Sequence, residues 1–171
     1  MSINALYYFI QQLFPSLSAQ RLPEDGLDHF GEFIDWINLN QTYIQPFFID
    51  QPLENGFEYN QLFSEYQIPV TTLTSELEQK ITKRKTTSLH TESLLQQELL
   101  RSTVLHTHNF LEKYQIDILL FQTSIQYFWL SFPKLRSDQR KEFCQLLKTS
   151  FNHDFPILVL DPKVLALFVN R

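Results

Sequence analysis

A chain of 171 residues with 43% hydrophobic content is long enough for one ordinary domain and apolar enough to build a core, which excludes wholesale disorder. Only three residues are Gly, and the patterns GxGxxG, GxxxxGKS/T and GxSxG are absent, which argues against Rossmann enzymes, P-loop NTPases and α/β-hydrolases. The net charge of −5 hides a polarity: residues 1–78 hold eleven acids and one base, whereas residues 79–171 hold eight acids and thirteen bases.

Residues 3–14 read as an amphipathic helix, with Leu6, Phe9, Ile10 and Leu13 at i, i+3, i+4 and i+7, and Pro15 ends it. Residues 25–38 read as a second helix, with Leu27, Phe30, Phe33, Ile34 and Ile37 inward and Asp28, Glu32 and Asp35 outward. Residues 39–57 carry Pro46, Pro52 and Gly56 and read as short extended segments or one irregular helix, followed by a short helix near 58–66.

Residues 71–115 contain neither Gly nor Pro, so one long helix is expected there. Its stretch 78–93 holds only Ile81 and Leu89 as apolar anchors, which marks it as a mobile segment or an exposed helical stretch. From Leu94 to Leu111 the apolar residues return, leaving a polar stripe of Gln97, Arg101, His108 and Glu112. The very apolar 116–132 is expected to be helical, because a hairpin there would have to turn at Thr123-Ser124 without Gly or Asn. Helix 137–151, a short strand at 156–160 and a last helix at 162–169, opened by Asp161-Pro162, complete the chain. The expected fold is therefore mainly α: a single-domain helical bundle of six to eight helices over 1–171 with one or two short strands, the alternative being α+β. The lack of Gly and the excess of Leu over Val, 27 against 5, both lean toward helix.

Little chemistry stands out. His106 and His108, two apart, point to opposite sides of a helix and cannot share a metal there. On this reading His106 packs inward and His108 faces water. Cys144 is the single cysteine, so it makes no intrachain disulfide, and it reads as a packed, unreactive thiol. No catalytic residue, cofactor or metal ligand is assigned. Lys80, Lys83, Arg84 and Lys85 form the densest basic cluster. A sequence pI near 5.5 and an acidic first half argue against nucleic acid.

These features suit a non-enzymatic protein-binding module of bacterial, cytoplasmic type, such as an adaptor, a chaperone-like factor, or an antitoxin or immunity protein. The expected contact residues are Asp28, Glu32, Asp35 and Trp36, facing a partner with a basic surface, together with Lys80, Lys83, Arg84 and Lys85. No apolar run reaches the ~20 residues of a membrane span, and the chain opens without a basic secretory signal. A helical carrier of an apolar small molecule, using the 16 Phe side chains, is the second reading, and a nucleic-acid-associated subunit the third.

Overall fold

The computed structural model of the protein describes residues 4–151 and 158–169. Its centre is a four-stranded antiparallel sheet, so the helical-bundle expectation gives way to a mixed α+β fold in which helices are still the larger part. The chain runs α1 (Asn4–Leu13), α2 (Phe30–Ile37), β1 (Ile44–Phe47), α3 (Gln61–Glu65), α4 (Val70–Thr87), α5 (Glu92–Glu112), β2 (Ile116–Gln122), β3 (Tyr127–Pro133), α6 (Ser137–Ser150), β4 (Leu158–Leu160) and α7 (Pro162–Val169). Short 3₁₀ turns at Pro15–Leu17, Pro52–Asn55 and Phe57–Tyr59 join some of these. The strand order is β1-β3-β2-β4.

The correction arises at 116–132, which is a hairpin. Leu119 faces Leu130 and Leu120 faces Trp129 across β2 and β3. The turn is closed by the Thr123 backbone N–H donating to the Gln126 carbonyl at 3.0 Å and by the threonine side chain. Thr123 Oγ1 donates to the carbonyl of Gln126 at 2.9 Å and accepts the Gln126 backbone N–H at 3.1 Å, doing what Gly or Asn does in tighter turns. Ile116 through Phe121 are all buried. Successive strand side chains point to opposite faces, so both faces of β2 are covered, and the apolar run resembles a buried helix.

One face carries Leu119, Phe121, Phe128, Leu130 and Phe132. It packs against α2 through Phe30, whose ring lies 5.1 Å from Phe121, and against α6 through Phe143, 5.2 Å from Phe132. Phe9 of α1 stacks on Phe143 from beyond at 5.1 Å. The other face carries Trp129, which meets Phe57 and Phe63 at 5.2 and 5.3 Å. Most of the aromatic surplus therefore sits in the core, and each buried pair adds about 0.5–1.5 kcal/mol beyond its area.

Fully buried Asn60 bolts this second face together. Its Oδ1 caps α3 by accepting from Leu62 N at 3.1 Å and also accepts from Ser131 Oγ at 2.8 Å, while its Nδ2 donates to Gln45 Oε1 at 3.1 Å.

The long helix expected over 71–115 breaks at 88–91 and folds back as an α4–α5 hairpin. The contacts Arg84–Glu98, His90–Glu98 and Glu76–His106 register the two helices antiparallel. The stretch 78–93 is the distal half of α4, the connection and the first residues of α5. Ile81 is buried, whereas residues 82–87 are all exposed. Of the last strand, residues 156 and 157 lie outside the described residues, and 158–160 form β4, pairing with β2.

Candidate functional site

Three surfaces carry the polar residues of interest. The first is the α4–α5 hairpin. Lys80 and Arg84 lie one turn apart on α4, and Glu98, Arg101, Leu105 and His106 follow at helical spacing on α5. Together they line a groove of about 390 Å³. Arg84 pairs with Glu98 at 3.8 Å, and His106 Nε2 meets Glu76 Oε2 at 2.8 Å. Burial and the nearby Lys80 outweigh Glu76, so the His106 pKa is lowered from 6.5. Three permanent cations against one acid leave the groove positive. Lys85 turns to the other side of α4 and pairs with Asp50 at 2.9 Å, and Lys83 is exposed. At the tip, Leu89 is 101% exposed, and Leu94, in the first turn of α5, is 48% exposed.

The second surface is the acidic corner. Glu32 and Asp35 are exposed on α2, as expected. Asp28 lies before the helix, which begins at Phe30, and sits 3.8 Å from His29. Trp36 is only 6% exposed. Its indole N–H donates to the carbonyl of Arg21 at 2.9 Å, its own carbonyl accepts from Gln20 Nε2, and its ring packs against Tyr7 at 4.8 Å. It anchors α2 to the chain before it and does not offer an aromatic contact to a partner.

The third surface lies where β2, α5, α6 and α7 meet. Asp117 of β2 is fully buried, with Arg140 Nη1 at 2.8 Å, Lys163 Nζ at 3.5 Å and His108 Nδ1 at 3.5 Å. Arg140 also grips Asp161 through two hydrogen bonds, Nη2 to Oδ1 at 2.6 Å and Nε to Oδ2 at 3.3 Å. Burial works against the Arg140 charge, but its bonds to Asp161 and the charge of Asp117 raise its pKa overall. Burial pushes Asp161 up, yet the Arg140 hydrogen bond and charge and the Lys163 backbone N–H hold it below 3.8. Asp161 also caps α7 by accepting that Lys163 N–H at 2.9 Å, as the Asp-Pro pair implied.

His108 is 4% exposed, against the expectation that it faces water, and His106 is the more accessible of the two. The α5 turn that carries His108 rests on the sheet rather than on solvent. Burial lowers the His108 pKa from 6.5, only partly opposed by Asp117. The two histidines do diverge, one to α4 and one to β2. Among the described residues no three His, Cys, Asp or Glu side chains gather as a metal-binding group. Cys144 is half-buried beside Asp161, 4.0 Å away, and burial followed by that carboxylate pushes its thiol pKa up, which disfavours the thiolate.

No family model, no curated protein and no solved structure matches this chain. Among the described residues no helix is long and apolar enough to cross a membrane.

Asp117 and Lys163 escaped the sequence reading. Asp117 sits in an apolar run, and the one available signal was that a lone acid in such a run must find a cation.

Proposed function

We infer that the protein is a non-enzymatic protein-binding module and that its docking element is the distal α4–α5 hairpin. The observation that carries this reading is Leu89, wholly exposed at the hairpin tip, with Leu94 exposed in the first turn of α5 and Lys80, Lys83, Arg84 and Arg101 on the two helices. An exposed leucine at the end of a cationic helical arm contributes nothing to the core of this chain. It is suited to an apolar pocket on a partner whose rim is acidic. The cations steer encounter, and the leucines supply the buried contact. Glu32 and Asp35, with Asp28 nearby, form a second surface of opposite sign, suited to a basic partner.

The test is affinity capture from a native lysate with quantitative mass spectrometry, comparing wild type with Leu89→Asp/Lys83→Glu and with Glu32→Lys/Asp35→Lys. All four positions are exposed, so the variants keep the fold. A near-stoichiometric protein that is lost from the hairpin variant and retained by the acidic-corner variant supports the reading. Retention of every captured protein by the hairpin variant overturns it.

A further inference from the structure

A separate face of the molecule holds a cleft of about 420 Å³ between α6 and the β4–α7 segment. Arg140, Asp161 and Lys163 line the cleft and Asp117 is buried behind them, and these four charges close among themselves: Asp117 and Asp161 are matched by Arg140 and Lys163. Arg140, 5% exposed and held by both acids, is a fixed part of the cleft wall. What remains uncompensated is Lys141 and Lys148. Both line the cleft, and neither has an ion-pair partner among the described residues. They lie on one stripe of α6 with Ser137 and Gln145, at i, i+4, i+8 and i+11. Lys141 and Lys148 are about 10 Å apart along the axis at 1.5 Å per residue, close enough for two flexible lysine side chains to converge on one group between them. Val159 and Val164 supply apolar surface on the opposite side, and Cys144 lies on α6 between the two lysines in sequence.

We propose that this cleft binds a small phosphate monoester with an apolar body, its phosphate held by Lys141 and Lys148 with a hydrogen bond from Gln145. The surplus of two positive charges matches the −1.5 to −2 of a phosphate monoester near neutral pH better than the single charge of a carboxylate. The volume falls in the range of about 300–1,000 Å³ usual for small-molecule sites. The apolar surface favours an ester over free phosphate. This inference is independent of the docking role of the α4–α5 hairpin, which uses other residues on another face.

Cys144 makes the test direct, because it is the single cysteine of the chain and lies in the cleft. Its alkylation by iodoacetamide at alkaline pH and constant ionic strength is followed with phenyl phosphate, inorganic phosphate or benzoate as probe. Phenyl phosphate should slow alkylation saturably, at least threefold at low millimolar concentration, and more strongly than either other probe. In Lys141→Gln/Lys148→Gln, whose substitutions are on exposed side chains, the ratio of rates with and without phenyl phosphate should return to one. Absence of protection by phenyl phosphate, equal protection by benzoate, or protection that persists in the double variant overturns the proposal.

Discussion

Arg140 Nη1 stands 2.8 Å from Asp117 Oδ2, with neither side chain more than 6% exposed. The contact is an ion pair without hydrogen-bond alignment: Arg140 Nη1, Asp117 Oδ1 and His108 Nδ1 all lack a hydrogen-bond partner among the described residues. Such a pair adds little net stability over an apolar isostere, but losing one partner is costly, because it strands the other charge in the interior. It ties β2 to α6, and through Asp161 it ties both to α7.

Arg140→Met should therefore destabilise the protein by about 3–5 kcal/mol, since it leaves Asp117 and Asp161 with Lys163 alone. Asp117→Leu/Arg140→Met should recover much of that loss by removing both charges. Urea denaturation of the two variants and wild type measures the difference. A loss under about 1 kcal/mol in Arg140→Met would show that solvent reaches Asp117.

Stability should decline as pH falls below 6.5. Burial depresses the pKa of both His106 and His108 in the folded chain, so the unfolded chain takes up protons first. Their contribution is full above the unfolded value and is lost as pH falls from there through the folded values. Asp161 acts in a lower window, full above 3.8 and lost as pH falls through its depressed folded value. His108→Gln should flatten the pH dependence of the urea midpoint between about pH 5 and 7. An unchanged slope would mean that His108 ionises alike in both states.

The Thr123 hydroxyl reinforces a hairpin turn that is also closed by the Thr123 backbone N–H donating to the Gln126 carbonyl at 3.0 Å. Thr123→Val removes the hydroxyl's two bonds to the Gln126 backbone and should cost about 0.5–1.5 kcal/mol, whereas Thr123→Ser keeps them. A lower melting temperature for Thr123→Val than for Thr123→Ser checks the assignment. Equal values would remove the side chain from the account of the turn.

Gly56 has φ +62°, and an added Cβ would lie 2.6 Å from Gln45 Nε2, the atom that donates to the Gly56 carbonyl. Gly56→Ala should cost about 1–3 kcal/mol from backbone strain and the displaced bond. Gly26 has a similar φ of +69°, but there the close neighbour is the flexible Glu32 side chain at 2.9 Å. Gly26→Ala should cost less, and chemical denaturation of the two variants tests the ranking.

Helices with a one-sided apolar pattern were legible in the chain. Leu6 and Ile10 of α1, Phe33 and Ile37 of α2, and Phe143, Leu146 and Leu147 of α6 are buried as their spacing implies. Of the sheet, the short last strand was legible over 158–160, whereas the β2–β3 hairpin was not, for two physical reasons. Strand β2 is covered on both faces, which erases the alternation that marks a half-exposed strand. The turn after it uses a threonine hydroxyl in place of the glycine that usually signals a hairpin. The error at His108 followed from the same cause, because a face of α5 assigned to water in a bundle rests on the sheet instead. The basic cluster was legible as composition. That it splits, with Lys80 and Arg84 in the groove and Lys85 toward Asp50, depends on where α4 meets its neighbours.

Phe47 and Tyr127, partners across β1 and β3, are about eighty residues apart in the chain, and much of that excursion is the α4–α5 hairpin. The entropy of closing such a loop grows only logarithmically, so even doubling it costs about 0.6 kcal/mol. Seven more residues on each helix would lengthen the hairpin by about 10 Å while leaving every strand pairing untouched. The reach of this arm is thus a quantity that insertions and deletions can adjust without disturbing the sheet that supports it.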